Sequence, residues 1–202
     1  MGKGKKDREA FIARIRDDVS RQLSSKPRRL EHSLRVADTA VELARTYGVD
    51  PFEARVAGLL HDYAKAYSAD TQIEKARGIG LDFGCDLELV ASILHGPIAA
   101  FELEDIYPEL TPGILSAIEH HTVPSDHMSP LDMVVYIADG IEPGRPSNER
   151  IDAQRASVGR VPLDDLFFDC FAGSIAYVID TGRFLWPGTV ETYNRYVLNR
   201  KR

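Results

Sequence analysis

Apolar residues recur every three or four positions along most of the chain, which is the spacing of one face of an α-helix. Between residues 7 and 24 this face is formed by Phe11, Ile12, Ile15, Val19 and Leu23. From Pro27 to Tyr47 the same spacing relates Leu34, Ala37, Val41 and Ala44, and a glycine then supplies a helix stop. Alternating apolar and polar positions, the pattern of a strand, never persist for more than a few residues. The sequence therefore predicts an all-α fold, a bundle of helices.

Proline next to a polar capping residue marks where further helices begin. The predicted starts are Asp50 with Pro51 and a capping box closed by Glu53, Thr111 with Pro112, and Ser129 with Pro130. A helix over residues 86–95 is expected to end at the glycine and proline of "HGP". Two closing helices are expected over residues 163–181 and 188–200. Short connections such as "TYGVD" favour antiparallel packing of neighbouring helices.

The composition, 44% hydrophobic and 28% charged over 202 residues, is typical of one globular domain with a sizeable core. We expect a single domain over residues 1–202, of which residues 1–10 form a flexible basic tail. The sequence has no apolar run of roughly 18 residues and no signal-peptide segment, so we expect a cytoplasmic protein without a membrane partner. A net charge of −6 disfavours DNA or RNA as a partner. The oligomeric state has no signature in the sequence.

The stretch "AGLLHDYAK", residues 57–65, contains His61 and Asp62 in an otherwise apolar helical segment. Burying an imidazole and a carboxylate is costly unless both have partners. Four candidate metal ligands lie about two and a half turns into their predicted helices, near the C-terminal ends: His61, His95, His121 and Asp139. The negative end of a helix dipole favours a cation, so we expect these ends to meet at a metal centre. His32 lies near the beginning of its helix, which reaches the same place if that helix runs antiparallel.

Each of these residues also has a structural interpretation. A single buried histidine is more often a hydrogen-bonded core residue than a ligand, and an aspartate near a helix end often caps it. Asp139 is harder to explain in this way, because it lies within the apolar run "VVYIADGIE". Gly58, one turn before Asp62, is expected to leave space for that side chain. His120 and His127 are expected to lie outside the site.

The order His32, then His61 with Asp62, then Asp139 resembles the H…HD…D pattern of the HD-domain metal-dependent phosphohydrolases. Longer strings are more specific: "RLEHSLRVA", "AGLLHDYAK", "ILHGP", "AIEHHT" and "MSPLDMVVYIADGIEPGR". They are similar to the YqeK branch of that family, the bacterial symmetrical diadenosine tetraphosphate hydrolases. The resemblance runs from about Arg29 to "PGTVETYN" near the C-terminus. It implies a helical bundle of the HD-domain type and cleavage of diadenosine tetraphosphate (Ap4A) into two ADP, with bound iron.

Imidazoles and carboxylates without a thiolate suit iron, manganese or another divalent ion in a partly open site, and not a closed structural zinc site. We expect one iron ion to be bound by His32, His61, Asp62 and Asp139. Such an ion turns bound water into a hydroxide nucleophile near neutral pH, and Asp62 is placed to orient or deprotonate that water. His95 and His121 either bind a second ion or contact a substrate phosphate, and we favour the phosphate.

Phosphoryl transfer also needs positive charge around the phosphate oxygens. Lys65 follows Asp62 by three residues, and Arg145 follows the last candidate ligand by six. Arg29 lies one helical turn before His32. We expect the substrate to contact these three cations and three further residues, giving the set Arg29, Lys65, His95, His121, Thr122 and Arg145.

Together these features favour an enzyme, a symmetrical bis(5'-nucleosyl)-tetraphosphatase, in which Asp62 and Lys65 act in catalysis on a dinucleoside polyphosphate. A broader nucleotide phosphatase or phosphodiesterase is the alternative enzyme, because one fold hosts many reactions. A non-catalytic nucleotide-sensing protein is a third interpretation. Departures from the branch at Val123, Pro124 and Met133 leave the exact nucleotide open. Trp186 either covers a nucleoside or anchors the end of the bundle.

Overall fold

The computed structural model describes residues 2–200, with side chains from Gly4 onward, and no strand occurs within that range. Ten α-helices make up the described chain. In order they are α1 (Gly2–Gln22), α2 (Pro27–Tyr47), α3 (Pro51–Leu60), α4 (Ala69–Gly78), α5 (His95–Ile106), α6 (Pro112–His120), α7 (Pro130–Ile141), α8 (Glu149–Ser157), α9 (Leu163–Asp180) and α10 (Pro187–Arg200). The predicted all-α bundle is therefore confirmed.

Polar caps begin three of these helices where the sequence predicted them. Asp50 accepts a hydrogen bond from the backbone N–H of Phe52, and Thr111 caps α6 in a similar way. Ser129 forms a full capping box at the start of α7, where its partner is Asp132. The box expected at α3 does not form, because the Glu53 carboxylate accepts a hydrogen bond from Thr111 Oγ1 at 3.0 Å instead.

Two predicted boundaries were wrong. The segment before His95 consists of turns and not of a helix, and His95 begins α5. Pro97 fits there because the first turn of a helix does not use its backbone N–H groups, so a proline that would stop a helix also serves to start one. At the other end of the chain α1 already begins at Gly2, so the basic segment expected as a tail is helical, with exposed side chains from Gly4 to Ala10.

The core lies between α2, α3, α6 and α7, and α9 covers one side of it. α2 and α3 approach closely because Gly58 has no side chain: a Cβ atom there would lie 2.7 Å from the Cα atom of Ala37. Tyr136 of α7 packs edge-on against Phe167 of α9, with ring centroids 5.3 Å apart. Within residues 2–200, no helix has both the length and the apolar character that crossing a membrane requires.

Candidate metal centre

The sequence predicted that the His61–Asp62 pair lies inside a helix. In the structure the pair lies where a helix ends. α3 ends at Leu60, His61 is its C-terminal cap, and Asp62 precedes a short 3-10 helix, Tyr63–Ala66. His61 is fully buried, and only 3% of the Asp62 side chain is exposed. The change of helix type at this step leaves His61 Nε2 within 3.3 Å of Asp62 Oδ2.

Three helices supply the first group of candidate ligands. His32 comes from the early part of α2, Asp139 from the end of α7, and the His61–Asp62 pair follows α3. His32 Nε2 lies 2.9 Å from Asp139 Oδ1 and 3.6 Å from Asp62 Oδ2. His61 Nε2 lies 4.0 Å from Asp139 Oδ1. The expected meeting of these helices is therefore present, and His32, His61 and Asp62 offer donor atoms within 4.8 Å of one another.

Asp62 belongs to a second group as well, with His95 and His121. Its Oδ1 atom lies 3.2 Å from His95 Nε2 and 3.9 Å from His121 Nε2. The two imidazole Nε2 atoms are 2.9 Å apart. Each oxygen of the Asp62 carboxylate thus faces a different group, so Asp62 could serve as a ligand in both.

The two histidines of the second group reach it from opposite ends of their helices. His121 caps the C-terminal end of α6, as predicted, whereas His95 begins α5. The helix-dipole argument therefore holds for His121 and is wrong for His95. Gly96 allows this arrangement, because a Cβ atom there would lie 2.7 Å from the backbone oxygen of Glu119 in α6.

The orientation of three imidazoles is fixed by their other ring nitrogen. Nδ1 donates to a protein oxygen in each: His32 to Glu142 Oε1 at 3.0 Å, His61 to the carbonyl of Gly58 at 2.7 Å, and His121 to the carbonyl of Ile118 at 2.6 Å. The Nε2 lone pair is then free to face the centre. In the described part of the chain, Nε2 of His32 and of His61 is buried without a hydrogen bond. A divalent ion satisfies such nitrogens, so these residues fit one.

Both carboxylates of the first group are held in the ionised form. Burial opposes the ionisation of Asp62, but the neighbouring imidazoles of His61 and His95 together hold the Asp62 pKa well below its ordinary value. Burial likewise opposes the ionisation of Asp139, and the adjacent His32 imidazole and the charge of Arg145 lower its pKa. Ionised carboxylates are the form that binds a metal.

The histidines of the second group are held in the neutral form, which is also the metal-binding form. Burial lowers the pKa of His95. Burial, with the charges that His95 and His61 carry when protonated, holds the pKa of His121 well below its ordinary value. His61 differs: burial opposes its protonation, but the Asp62 carboxylate raises its pKa.

Three cations named from the sequence as phosphate contacts lie at or near the ligands. Arg29 Nη1 donates to Asp62 Oδ2 at 2.7 Å. Arg145 Nε donates to the backbone oxygen of Asp139 at 2.8 Å, and its guanidinium also contacts the Asp139 carboxylate. Lys65 Nζ donates to a backbone carbonyl of the loop before α5 at 3.2 Å, and burial lowers its pKa. Fixed positive charge thus surrounds the carboxylates.

Glu142 is the important residue that the sequence analysis did not single out. It is 1% exposed, and besides orienting His32 its carboxylate accepts hydrogen bonds from Arg35 Nε at 2.6 Å and from the backbone N–H of Gly144 at 2.5 Å. Burial opposes its ionisation, but these hydrogen bonds lower its pKa. The available signal was its spacing: Glu142 follows Asp139 by three residues, about one helical turn.

Arg155 of α8 was also missed. Its guanidinium donates to the backbone oxygens of Ile141, Glu142 and Arg145, at 2.9, 2.8 and 3.3 Å. These contacts hold the loop that follows α7 and carries Arg145. A contact between a side chain and remote backbone oxygens leaves no pattern in the sequence.

Other predicted roles have mixed outcomes. Thr122 Oγ1 donates to the backbone oxygen of Ile93 at 3.1 Å, so it holds the loop before α5. His127 is exposed, and His120 lies 3.1 Å from Ser116 Oγ, so neither joins the two groups. Gly58 was expected to leave space for the Asp62 side chain. In the structure it makes room for the backbone of α2 instead.

Trp186 anchors the segment between α9 and α10. Its Nε1–H donates to the backbone oxygen of Phe83 at 2.7 Å, and the two rings pack edge-on with centroids 5.0 Å apart. Gly188 lies under the indole, where a Cβ atom would be 2.3 Å from the ring. Of the two interpretations of this aromatic segment, these contacts support the anchor.

Comparison with known proteins places this geometry in a wider group. The family model described as HD domain matches residues 29–144. A symmetrical bis(5'-nucleosyl)-tetraphosphatase of Staphylococcus aureus is 31% identical, over 84% of this chain and 87% of the relative. The protein of the same description from Bacillus subtilis is 30% identical, over 93% of this chain and 96% of the relative.

A solved structure is similar over nearly the whole chain. It is the crystal structure of an HD superfamily hydrolase from Clostridium acetobutylicum, described as involved in NAD metabolism. It is 35% identical, with a TM-score of 0.82, over 93% of this chain and 97% of that one. Both the fold and the chain length are thus shared with this relative.

Proposed function

Because this chain belongs to the HD-domain family, we propose that it is a metal-dependent hydrolase that cleaves Ap4A symmetrically into two ADP. Relatives described as symmetrical bis(5'-nucleosyl)-tetraphosphatases cover most of the chain at about 30% identity, which supports this reaction. The observation that carries the proposal is the meeting of His32, His61 and Asp62, buried and oriented, at the end of α3.

Two divalent ions are proposed in place of the single ion favoured by the sequence. His32, His61, Asp62 and Asp139 would hold the first, and Asp62, His95 and His121 the second. The separate contacts of the two Asp62 oxygens support this arrangement, in which His95 and His121 act as ligands. When bound, such ions act as Lewis acids and lower the pKa of coordinated water toward neutrality.

Iron is the proposed metal, with manganese as the alternative. Imidazole nitrogen and carboxylate oxygen donors without a cysteine suit either ion. Metal analysis of the protein, purified without added metal, tests both points. About two iron equivalents per chain are expected. If the wild-type protein held one equivalent and the His95→Ala variant kept it, the single-ion arrangement would be correct.

The surrounding cations are proposed to bind the polyphosphate. Arg29 and Arg145 already lie against the carboxylates of Asp62 and Asp139, so their guanidinium groups can also donate to an oxygen of a phosphate seated there. Lys65, partly buried beside Asp62, would neutralise charge that spreads over the phosphate oxygens during cleavage. Asp62, with an oxygen toward each group, would orient the attacking water. Thr122, which holds the loop before α5, is proposed to lie at the edge of the substrate site.

The product assay decides on the reaction. The protein, supplied with Fe²⁺ or Mn²⁺, is incubated with Ap4A and the nucleotides are separated by chromatography. ADP as the sole product is the expected result. ATP with AMP would contradict symmetrical cleavage, and no turnover with metal restored would favour a nucleotide-sensing protein.

A ligand variant separates catalysis from contamination. Asp62→Ala is expected to abolish turnover, because both groups lose the carboxylate that they share. The matched control is Asp105→Ala on α5, since Asp105 is exposed and has no ion-pair partner in the described chain. If Asp62→Ala still produced ADP, and the rate differed from one purified batch to the next, a contaminating enzyme would be its source.

A further inference from the structure

A cavity rich in positive charge opens beside the first ligand group. It lies between the start of α2 and the loop after α7, and its volume is about 550 Å³, within the range of small-molecule sites. Its charged lining residues are Lys26, Arg28, Arg29, Arg35, Glu142 and Arg145. Five cations and one carboxylate line this basic cavity, in a chain whose net charge is −6. Such a local excess of positive charge favours an anionic ligand.

Four of the five cations are already engaged by the protein. Arg29 donates to Asp62, Arg35 to Glu142, and Arg145 to Asp139. The fourth is the lysine before α2, whose Nζ donates to two backbone oxygens beyond the His61–Asp62 pair, at 2.5 and 3.2 Å. These contacts give the lining a fixed shape, because each cation is held by an oxygen of another element.

Arg28 is different. It lines the basic cavity, its side chain is exposed, and no residue in the described range 2–200 makes a hydrogen bond or ion pair with its guanidinium. A folded protein gains nothing internally from this charge, whereas a phosphate that enters the basic cavity would meet it directly.

The basic cavity is continuous with the candidate metal centre. His32 lines it and is also a member of the first ligand group. The His32 side chain is 8% exposed, and its buried Nε2 atom makes no hydrogen bond within the described residues. A polyphosphate chain whose central bond lies at His32 would therefore extend one end into the cavity.

Resting on the proposed function, we propose that the basic cavity binds one ADP half of the substrate and that Arg28 contacts its phosphates. Symmetrical cleavage leaves two phosphates on each side of the broken bond, so the half in the basic cavity carries a diphosphate. Arg28 is then a specificity-determining residue, since it interacts with charge that lies beyond the reacting phosphates.

The test compares Arg28→Gln with Arg45→Gln. Arg45 lies on the same helix, near the opposite end of α2, and is likewise exposed without a partner among the described residues. In the metal-loaded protein, Arg28→Gln should raise the KM for Ap4A about three- to tenfold, with a smaller change in kcat, because one charge-assisted contact is lost. It should weaken ADP binding by calorimetry to a similar degree. Arg28→Lys should recover part of both effects.

Two results would overturn the proposal. One is an unchanged KM and an unchanged Kd for ADP in Arg28→Gln. The other is an equal loss in Arg45→Gln, which would point to the general surface charge and not to the basic cavity. If the wild-type protein fails to cleave Ap4A, the proposed function fails, yet the ADP titration still decides whether the cavity binds a nucleoside diphosphate through Arg28.

Discussion

Three of the four imidazoles at the centre, those of His32, His61 and His121, are oriented by an oxygen on the far side of the ring, and the kind of oxygen differs between them. His61 and His121 use backbone carbonyls three residues before them, which come with the helix end. His32 uses the buried carboxylate of Glu142, a residue 110 positions away. A carboxylate that accepts a hydrogen bond from a histidine ligand fixes the tautomer of that histidine. It also makes the other ring nitrogen more basic, and so a stronger ligand for a metal ion. Glu142 is thus the position where a single atom change tests the centre.

Glu142→Gln keeps the shape of the side chain and removes its charge. We expect the affinity for the divalent ion to fall roughly 10- to 100-fold, since His32 is no longer held by a carboxylate. Competition with a chelator of known affinity measures this change. Glu104→Gln is the control, because Glu104 is exposed on α5 and has no partner in the described chain. Equal metal affinity in the two variants would contradict the role given to Glu142.

The buried Tyr107 tests the electrostatics at a distance from the centre. Its hydroxyl donates to Asp18 Oδ2 at 2.6 Å. This hydrogen bond lowers the pKa of Asp18 below 3.8, and burial with the same contact raises the pKa of Tyr107 above 10.0. A lowered carboxyl pKa stabilises the fold above the unfolded value and is lost in acid. A raised phenol pKa stabilises it below the unfolded value and is lost in alkali.

Tyr107→Phe should therefore destabilise the protein by about 1 kcal/mol at neutral pH. The difference from wild type should shrink as the pH falls below the 3.8 of an unperturbed aspartate, and again above the 10.0 of an unperturbed tyrosine. Urea unfolding across the pH range measures it. Tyr177→Phe, at an exposed tyrosine, is the control. A difference independent of pH would mean that the ion–hydroxyl contact is not its source.

At the scale of helices, the site depends on close contacts that glycine permits. Gly58 lets α3 lie against the backbone of α2 at Ala37, and Gly96 lets α5 approach the end of α6. The first contact brings His32 to the His61–Asp62 pair, and the second brings His95 to His121. Overpacking at such a contact moves whole helices, because the atoms in the way belong to the backbone.

Gly58→Ala is expected to destabilise the protein by about 1–3 kcal/mol, since its new Cβ atom would overlap Ala37. Gly140→Ala on α7 should act in the opposite direction. Gly140 is exposed and a Cβ atom there meets nothing within 4 Å, so alanine should stabilise α7 by about 0.5–1 kcal/mol. Thermal unfolding of the two variants compares them directly. If both substitutions stabilised the protein, backbone entropy, and not the contact with α2, would determine the effect at Gly58.

For the whole molecule, the proposed ions would act as a cross-link. The candidate ligands come from or next to α2, α3, α5, α6 and α7, so a metal that holds them ties five of the helices together. A ligand that binds only the folded state stabilises it in proportion to the logarithm of its concentration. Metal content should therefore govern thermal stability as well as turnover.

Removal of metal with a chelator should lower the melting temperature. At a metal concentration about 100 times Kd, one ion contributes about 2.7 kcal/mol, which is roughly 5–10 °C for a chain of this size. Scanning calorimetry with and without Fe²⁺ or Mn²⁺ measures the shift. Asp62→Ala should lose most of it, and an equal shift in that variant would place the metal elsewhere.

Local signals determined much of this protein. The three- to four-residue apolar spacing predicted the helical bundle, and the caps at Asp50, Thr111 and Ser129 marked real helix starts, because capping depends on neighbouring residues alone. The quoted strings indicated the family. The His-Asp pair pointed to the centre, since burying two such groups requires a partner.

Only the tertiary structure decided what depends on residues distant in the sequence. Glu142 behind His32, Arg155 on the α7 loop, the two-sided contacts of Asp62 and the basic cavity around Arg28 all join separate helices. The position of His95 was misjudged for a related reason: a proline near a glycine both ends and begins helices, and the packing of α5 on α6 settles which. The sequence indicates which buried polar groups need a partner. The packing of the helices determines which residue becomes that partner, because it sets the distances between side chains that are far apart in the chain.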